Sequence, residues 1–192
     1  MMASVRRDDV ISQGRTAMTT DGTTLAQHIR SIPDWPKKGI LFRDITPLLG
    51  EPQALSRAID ALCAPYADTG VAYVAAVEAR GFIFGAAVAA KLGAGFVPLR
   101  KKGKLPADVE SVSYDLEYGT DVIEMHRDAF PCGAKVLVVD DLLATGGTMR
   151  AACELLDKAG AEIVGITCLI ELTDLKGRQH LSQYAIHTVV SY

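Results

Sequence analysis

Short apolar runs alternate with longer stretches in which apolar residues recur every three or four positions, and this alternation divides the chain. Val136-Leu137-Val138-Val139 is the clearest run. It is short, β-branched and bounded by charge, which predicts a strand buried on both faces. Val71–Val77, Phe96–Leu99, Ile163–Ile170 and Ala185–Val190 read as further strands. Helical spacing predicts a short helix over Thr24–Ile32, with Leu25, Ile29 and Ile32 on one face. A second helix runs from Glu51 to about Ala64, with Pro52 in its first turn, Leu55, Ile59 and Leu62 as the buried stripe, and Pro65 as its end. Phe82–Leu92, closed by Gly93, and Met149–Ala159 give two more, and Thr173–His180 reads as a polar helix. Two strand-turn-helix-strand units predict an α/β fold, a central and mostly parallel sheet flanked by helices.

Two segments break this rhythm. Residues from Pro33 to about Pro47 are too rich in Pro and Gly for a helix, and they hold Trp35, expected as a packing anchor, and the trio Ile40-Leu41-Phe42. Ser111–Tyr118 alternates strictly, Gly119-Thr120 reads as a turn, and Val122–His126 alternates again. This predicts a hairpin or flexible lid, with Glu117 and Tyr118 near its tip and His126 as a solvated pair partner.

The chemistry collects where strands end. After Val139 come two carboxylates, Asp140 and Asp141, then Ala144-Thr145-Gly146-Gly147-Thr148, then a helix. Glycines allow close backbone approach to a phosphate, and the N–H groups of a helix start point at it. Thr145 and Thr148 add hydroxyl donors. The aspartates repel a phosphate; they suit ribose hydroxyls or a metal ion that accompanies phosphates. Glu78-Ala79-Arg80-Gly81 follows the strand at Val77 in the same way. Ligands of parallel sheets bind outside the carboxyl ends of the strands, so the two segments are expected to share one site. Arg100-Lys101-Lys102-Gly103-Lys104 also follows a strand. A charge run is often just a solvated face, but this place favours contact with phosphates. No G-x-x-x-x-G-K-[ST] occurs and no G-x-G-x-x-G follows a strand, which excludes a P-loop and argues against a dinucleotide fold.

Composition narrows the class. The chain has 192 residues, 49% hydrophobic and 22% charged, with a net charge of −3. That is enough for one domain with a true core over residues 23–192, and too acidic for a general nucleic-acid binder. Residues 1–22 are polar without periodicity and are expected to be disordered. No apolar stretch predicts a membrane span, and no apolar signal core opens the chain, so a cytoplasmic location is expected. Cys63, Cys132, Cys153 and Cys168 form no C-x-x-C pair and read as free thiols.

The stretch V-V-D-D-L-L-A-T-G-G-T at Val138 resembles the phosphoribosyl-diphosphate signature of the type I phosphoribosyltransferases. Together with G-I-L-F-R-D-I-T-P at Gly39, E-A-R-G-F-I-F-G at Glu78, R-K-K-G-K-L-P at Arg100, Y-D-L-E-Y-G-T at Tyr114 and E-L-T-D-L-K-G-R at Glu171, the chain resembles the adenine phosphoribosyltransferases from about Leu25 to about Leu181. The resemblance implies a type I phosphoribosyltransferase fold with a small hood, about residues 33–47, and a lid, about 101–126. It implies transfer of the 5-phosphoribosyl group from 5-phosphoribosyl diphosphate to adenine, giving AMP and pyrophosphate in purine salvage. Ala144, Thr145, Gly146, Gly147 and Thr148 would bind the 5-phosphate, and Asp140 and Asp141 the ribose. Glu78, Ala79, Arg80, Arg100, Lys101 and Lys104 would receive pyrophosphate with Mg²⁺, the metal held through the pyrophosphate. Leu41, Phe42 and Arg80 would meet adenine. Glu117 would be the catalytic acid/base, with Tyr118 beside it in the lid. A non-proline cis peptide around Glu78-Ala79 and a homodimer are also implied.

Two rivals are a regulator of the same fold that senses purine or phosphoribosyl diphosphate, and an enzyme acting on another base such as xanthine. A regulator would lose the lid acid, whereas Glu117 and the cations are present. The Y-D-L-E-Y-G lid carries the adenine assignment.

Overall fold

The computed structural model describes residues 24–116 and 119–192. The expected disordered tail, Glu117 and Tyr118 therefore lie outside the described residues. Strand β1 (Arg30–Pro33) pairs antiparallel with β2 (Leu41–Asp44) as a small separate ribbon. Helices α1 (Thr46–Gly50) and α2 (Pro52–Cys63) follow, and then β3 (Tyr73–Val77), α3 (Gly81–Leu92) and β4 (Gly95–Lys101). The hairpin β5 (Val109–Leu116) and β6 (Gly119–His126) leads to β7 (Lys135–Leu143), α4 (Gly147–Lys158), β8 (Glu162–Glu171) and β9 (Ile186–Ser191). The main sheet has seven strands in the order β5-β6-β4-β3-β7-β8-β9. Strands β4, β3, β7, β8 and β9 are parallel, and the hairpin adds antiparallel to β4 through Arg100 and Lys101. This is the expected α/β architecture.

The apolar runs work as a period-two code. Val136 and Val138 face the core that holds α4, while Leu137 and Val139 face the core that holds α2 and α3. All four are fully buried. Each such side chain contributes about 1.5–3 kcal/mol by leaving water. Helix α4 sets Met149, Ala152, Cys153, Leu155 and Leu156 into the first core. Gly93 closes α3 in the left-handed conformation, at φ 68°. The buried stripe of α2 is Ala54, Ala58 and Leu62, with Leu55 and Ile59 only partly covered at its flank. None of the cysteines is bonded; Cys63, Cys153 and Cys168 are buried and Cys132 is exposed.

Several local expectations are corrected. The first helix does not reach Ile32, because β1 begins at Arg30. Pro33 disfavours helical backbone at the residue before it, and pairing with β2 satisfies the extended chain. Gly119 and Thr120 are not a turn; they already belong to β6, opposite Leu116 and Asp115. Val112 and Tyr114 are buried as the alternation required. His126 is half-buried rather than solvated, with its Nε2 lacking a partner. Residues 173–181 form two short 3-10 segments, Thr173–Leu175 and Gly177–Leu181, split where Lys176 turns left-handed at φ 54°. Trp35 is 51% exposed and anchors no core; it meets Phe42 edge-on, 4.4 Å between ring centres.

Candidate active site

At the carboxyl ends of the neighbouring strands β3 and β7 the chain leaves a cleft of about 350 Å³. One wall is Val77, Glu78, Ala79 and Arg80, and the other runs from Asp140 through Met149. The two segments singled out in the sequence thus share one site. Both walls follow one logic: a buried strand delivers the backbone to the sheet edge, a tight turn reverses it, and a helix starts beside the cleft.

On the β7 side, the strand continues through the acidic pair to Leu143. Gly146 caps α4 at φ 84°, a backbone that side chains other than glycine rarely adopt. No side chain caps the helix start, so the first N–H groups stay available on the cleft side. Asp141 N–H donates to Asp140 Oδ1 at 2.9 Å. Burial pushes the Asp140 carboxyl well above the usual range, and the adjacent Asp141 charge pushes it further. Asp141 is raised by burial too, partly offset by Arg80. Two carboxylates side by side in a concave, partly dry site favour a cation or a ring of hydroxyl donors.

On the β3 side, the Glu78–Ala79 peptide is cis, as the resemblance implied. Arg80 Nε lies 2.9 Å from Asp141 Oδ2, and its guanidinium stands 5.3 Å from the Phe42 ring centre. Glu78 faces the other way along the sheet. It accepts from Arg100 Nε at 3.1 Å, Arg100 Nη2 at 2.9 Å and Lys101 N–H at 2.7 Å. Burial raises the Glu78 carboxyl, but these bonds and the Arg100 and Lys104 charges outweigh it and hold it below its usual range.

The structure therefore brings Glu78, Ala79, Arg80, Asp140, Asp141 and Ala144–Thr148 together. It does not place Arg100, Lys101 or Lys104 in the cleft lining; they attach to it through Glu78 and through the Lys104 carbonyl, which accepts from Arg100 at 3.1 Å. Lys101 Nζ instead lies 3.0 Å from Asp121 Oδ2 on β6. Phe42 joins the cleft through Arg80, while Leu41 is 48% exposed on β2 and outside the lining. Sequence reasoning missed Tyr114, a buried β5 residue that lies beside Thr148 and Asp121. It also missed Gly177, which backs the loop at Gly146. The alternation around Tyr114 marked it only as core-facing, and the K-G-R at Lys176 carried no chemical signal of its own.

Comparison with known proteins agrees with this architecture. The family model for the phosphoribosyl transferase domain matches residues 51–190. An adenine phosphoribosyltransferase of Thermobifida fusca is 55% identical over 175 residues, 91% of this chain and 99% of that protein. One from Rhizobium leguminosarum bv. trifolii is 56% identical over 170 residues, 88% of this chain and 94% of that protein. The crystal structure of adenine phosphoribosyltransferase from Rhodothermus marinus superposes with a TM-score of 0.86 at 51% identity, covering 90% of this chain and 99% of that one. The enzyme from Saccharomyces cerevisiae, complexed with an imino-altritol bisphosphate and adenine, gives 0.84 at 37% identity over 88% of this chain and 98% of that one.

Proposed function

This chain belongs to the adenine phosphoribosyltransferases, and we propose from that membership how its cleft divides the work. The enzyme transfers the 5-phosphoribosyl group from 5-phosphoribosyl diphosphate to adenine, releasing pyrophosphate and forming AMP for purine salvage. The observation that carries the assignment of roles is the single cleft formed by Glu78–Arg80 and Asp140–Thr148.

The N–H groups at the start of α4 and the hydroxyls of Thr145 and Thr148 hold the 5-phosphate. Asp140 and Asp141 accept from the ribose hydroxyls. Their negative charge favours the oxocarbenium character that develops at the anomeric carbon as pyrophosphate departs. Glu78, Ala79 and Arg80 offer backbone and guanidinium to the leaving group, and Arg100, Lys101 and Lys104 approach from beyond Glu78. Phe42, steadied by Arg80, covers the adenine ring together with Leu41. Glu117 handles the proton that moves as the base attacks, and Tyr118 closes the lid with it, excluding water that would hydrolyse the sugar.

Mg²⁺ fits this site as a partner of the substrate. Among the described residues no cluster of three ligating side chains exists, yet Asp140 and Asp141 form an acidic pair in the cleft. When bound, the ion supplies charge neutralisation to the pyrophosphate through oxygen ligands. Activity is expected to vanish in excess chelator. Residues 23–192 work as one domain, as a homodimer in the cytoplasm. The three buried free thiols support a reducing compartment, and among the described residues no helix is long and apolar enough to cross a membrane. Light scattering tests the dimer.

A panel of bases with labelled phosphoribosyl diphosphate tests the whole reading. Adenine is expected to be used, and hypoxanthine, guanine and xanthine rejected. Comparable turnover of hypoxanthine would overturn the assignment of the base site.

A further inference from the structure

A loop built from Ala144-Thr145-Gly146-Gly147-Thr148 has little side chain with which to hold its own shape, yet its N–H groups must converge on one anion. Its backing is the 3-10 segment that starts at Gly177. A Cβ on Gly146 would lie 2.6 Å from the Gly177 carbonyl oxygen. A Cβ on Gly177 would overlap the Ala144 carbonyl and stand 3.1 Å from Gly146 N. The two backbones therefore touch directly, with no side chain between them.

The next residue fastens that contact. Arg178 donates from Nε to Glu171 Oε1 at 2.6 Å and from Nη2 to Glu171 Oε2 at 2.7 Å. Nη2 also reaches Thr188 Oγ1 at 2.9 Å, and Nη1 reaches the Ile186 carbonyl at 2.9 Å. The Thr188 hydroxyl donates in turn to Glu171 Oε2 at 2.9 Å. Glu171 and Thr188 are 6% and 8% exposed, so the acceptor side of the network is shielded, while the Arg178 side chain keeps 42% of its surface in water. Glu171 stands in register with Leu143, the last residue of β7, and Leu172 N–H donates to the Leu143 carbonyl at 2.9 Å. The connection is a closed circuit: β7 end, loop, Gly177, Arg178, Glu171, and back to the β7 end.

We propose that Arg178 is a positioning residue for the phosphoribosyl donor: its clamp on Glu171 and Thr188 presses Gly177 against Ala144–Thr148 and holds that loop in the anion-binding arrangement. Fork-shaped, bidentate pairing suits this task, because it fixes direction as well as distance. The inference rests on reading Ala144–Thr148 as the 5-phosphate cradle, so the experiment includes a variant that tests that reading alone.

The variants are Arg178→Gln, Arg178→Lys, Gly177→Ala, Thr188→Val and Thr148→Val, with steady-state kinetics for both substrates, calorimetric binding of ribose 5-phosphate, and melting curves. Arg178→Gln and Gly177→Ala are expected to raise KM for the donor and Kd for ribose 5-phosphate by about tenfold or more, the scale of a lost charged hydrogen bond. The KM for adenine at saturating donor should stay nearly unchanged, and Arg178→Lys should recover part of the loss. Unchanged ribose 5-phosphate binding in folded Arg178→Gln and Gly177→Ala, with only the melting temperature lowered, would reduce the clamp to a stability element and overturn the proposal. If Arg178→Gln does not fold, Arg178→Lys and Thr188→Val decide, since each loosens the clamp without a new contact at Gly177, and unchanged ribose 5-phosphate binding in both overturns the proposal. Weakened binding in Thr148→Val alone overturns the positioning role but keeps the cradle. No weakening in Thr148→Val, Gly177→Ala or Arg178→Gln overturns both.

Discussion

Arg80 holds Asp141 at 2.9 Å while its guanidinium faces the ring of Phe42, so one side chain links the acidic pair of β7 to the small ribbon formed by β1 and β2. Lysine could neutralise Asp141 but offers no planar face to Phe42. Arg80→Lys is expected to lower kcat/KM by roughly 10–100-fold, the range of one charged hydrogen bond. Steady-state rates on the purified variant check this; retention of wild-type kcat/KM would remove Arg80 from the site.

Asp140 gives a pH prediction. Burial, and then Asp141, raise its carboxyl in the folded protein. A group with a raised folded pKa binds its proton more tightly in the native state. Native stability is therefore lost as pH climbs from the ordinary carboxyl range through the raised value. Asp140→Asn should melt higher than wild type near neutral pH, with the gap closing at about pH 4, where the unfolded carboxyl also becomes protonated. Activity should fall at the same time. Thermal melts across pH decide, and a variant less stable at neutral pH would contradict the sign.

The Lys101–Asp121 pair predicts a gain. If Lys101 serves pyrophosphate, Asp121 competes for it. Lys101 is 62% exposed along its side chain, so the pair is worth about 1 kcal/mol or less. Asp121→Asn should therefore lower KM for the donor by at most about fivefold, and Lys101→Ala should raise it. A higher donor KM in Asp121→Asn would show that Asp121 supports the cation rather than restraining it.

Glu117→Gln is expected to cut kcat by about 10²–10⁴-fold with donor binding little changed, the usual share of general acid–base catalysis. Asp115→Asn should be far milder, because two residues along a strand move a carboxylate by about 7 Å. Equal losses in the two variants, or near wild-type rates in Glu117→Gln, would remove Glu117 as the acid/base.

Much of this molecule could be read from residue order. The runs at Val74 and Val136 are apolar on both faces because their strands are central, and a central strand has no polar face to confuse the pattern. The carboxyl-end rule alone joins Glu78–Arg80 to Asp140–Thr148, and the cleft unites them. Edges were harder. Strand β4 extends through Arg100 and Lys101, a charge run that hides the strand in the apolar pattern, because Glu78 and the hairpin supply the partners that keep it extended. The start of β6 reads as a turn because Gly119 is a usual turn residue, but cross-strand pairing with Leu116 overrides it. Gly177 was invisible for another reason: its meaning is the Gly146 backbone against it, a contact between segments far apart in the chain.

Strand β3 lies between β4 and β7, so it gains one neighbour soon after it is made and the other only once the hairpin and β7 have followed. A nascent chain, growing at about 5–20 residues per second, must carry the apolar flank of β3 unpaired for several seconds. Non-local parallel pairing of this kind is slow to form. The same pairing of β3 with β7 also brings Arg80 beside Asp141, so the substrate pocket forms together with the centre of the sheet. Occupancy is then felt by the whole sheet: a donor at 100 times its Kd adds about 2.7 kcal/mol to the native state. The supply of phosphoribosyl diphosphate would therefore raise the stability of this protein as well as its rate.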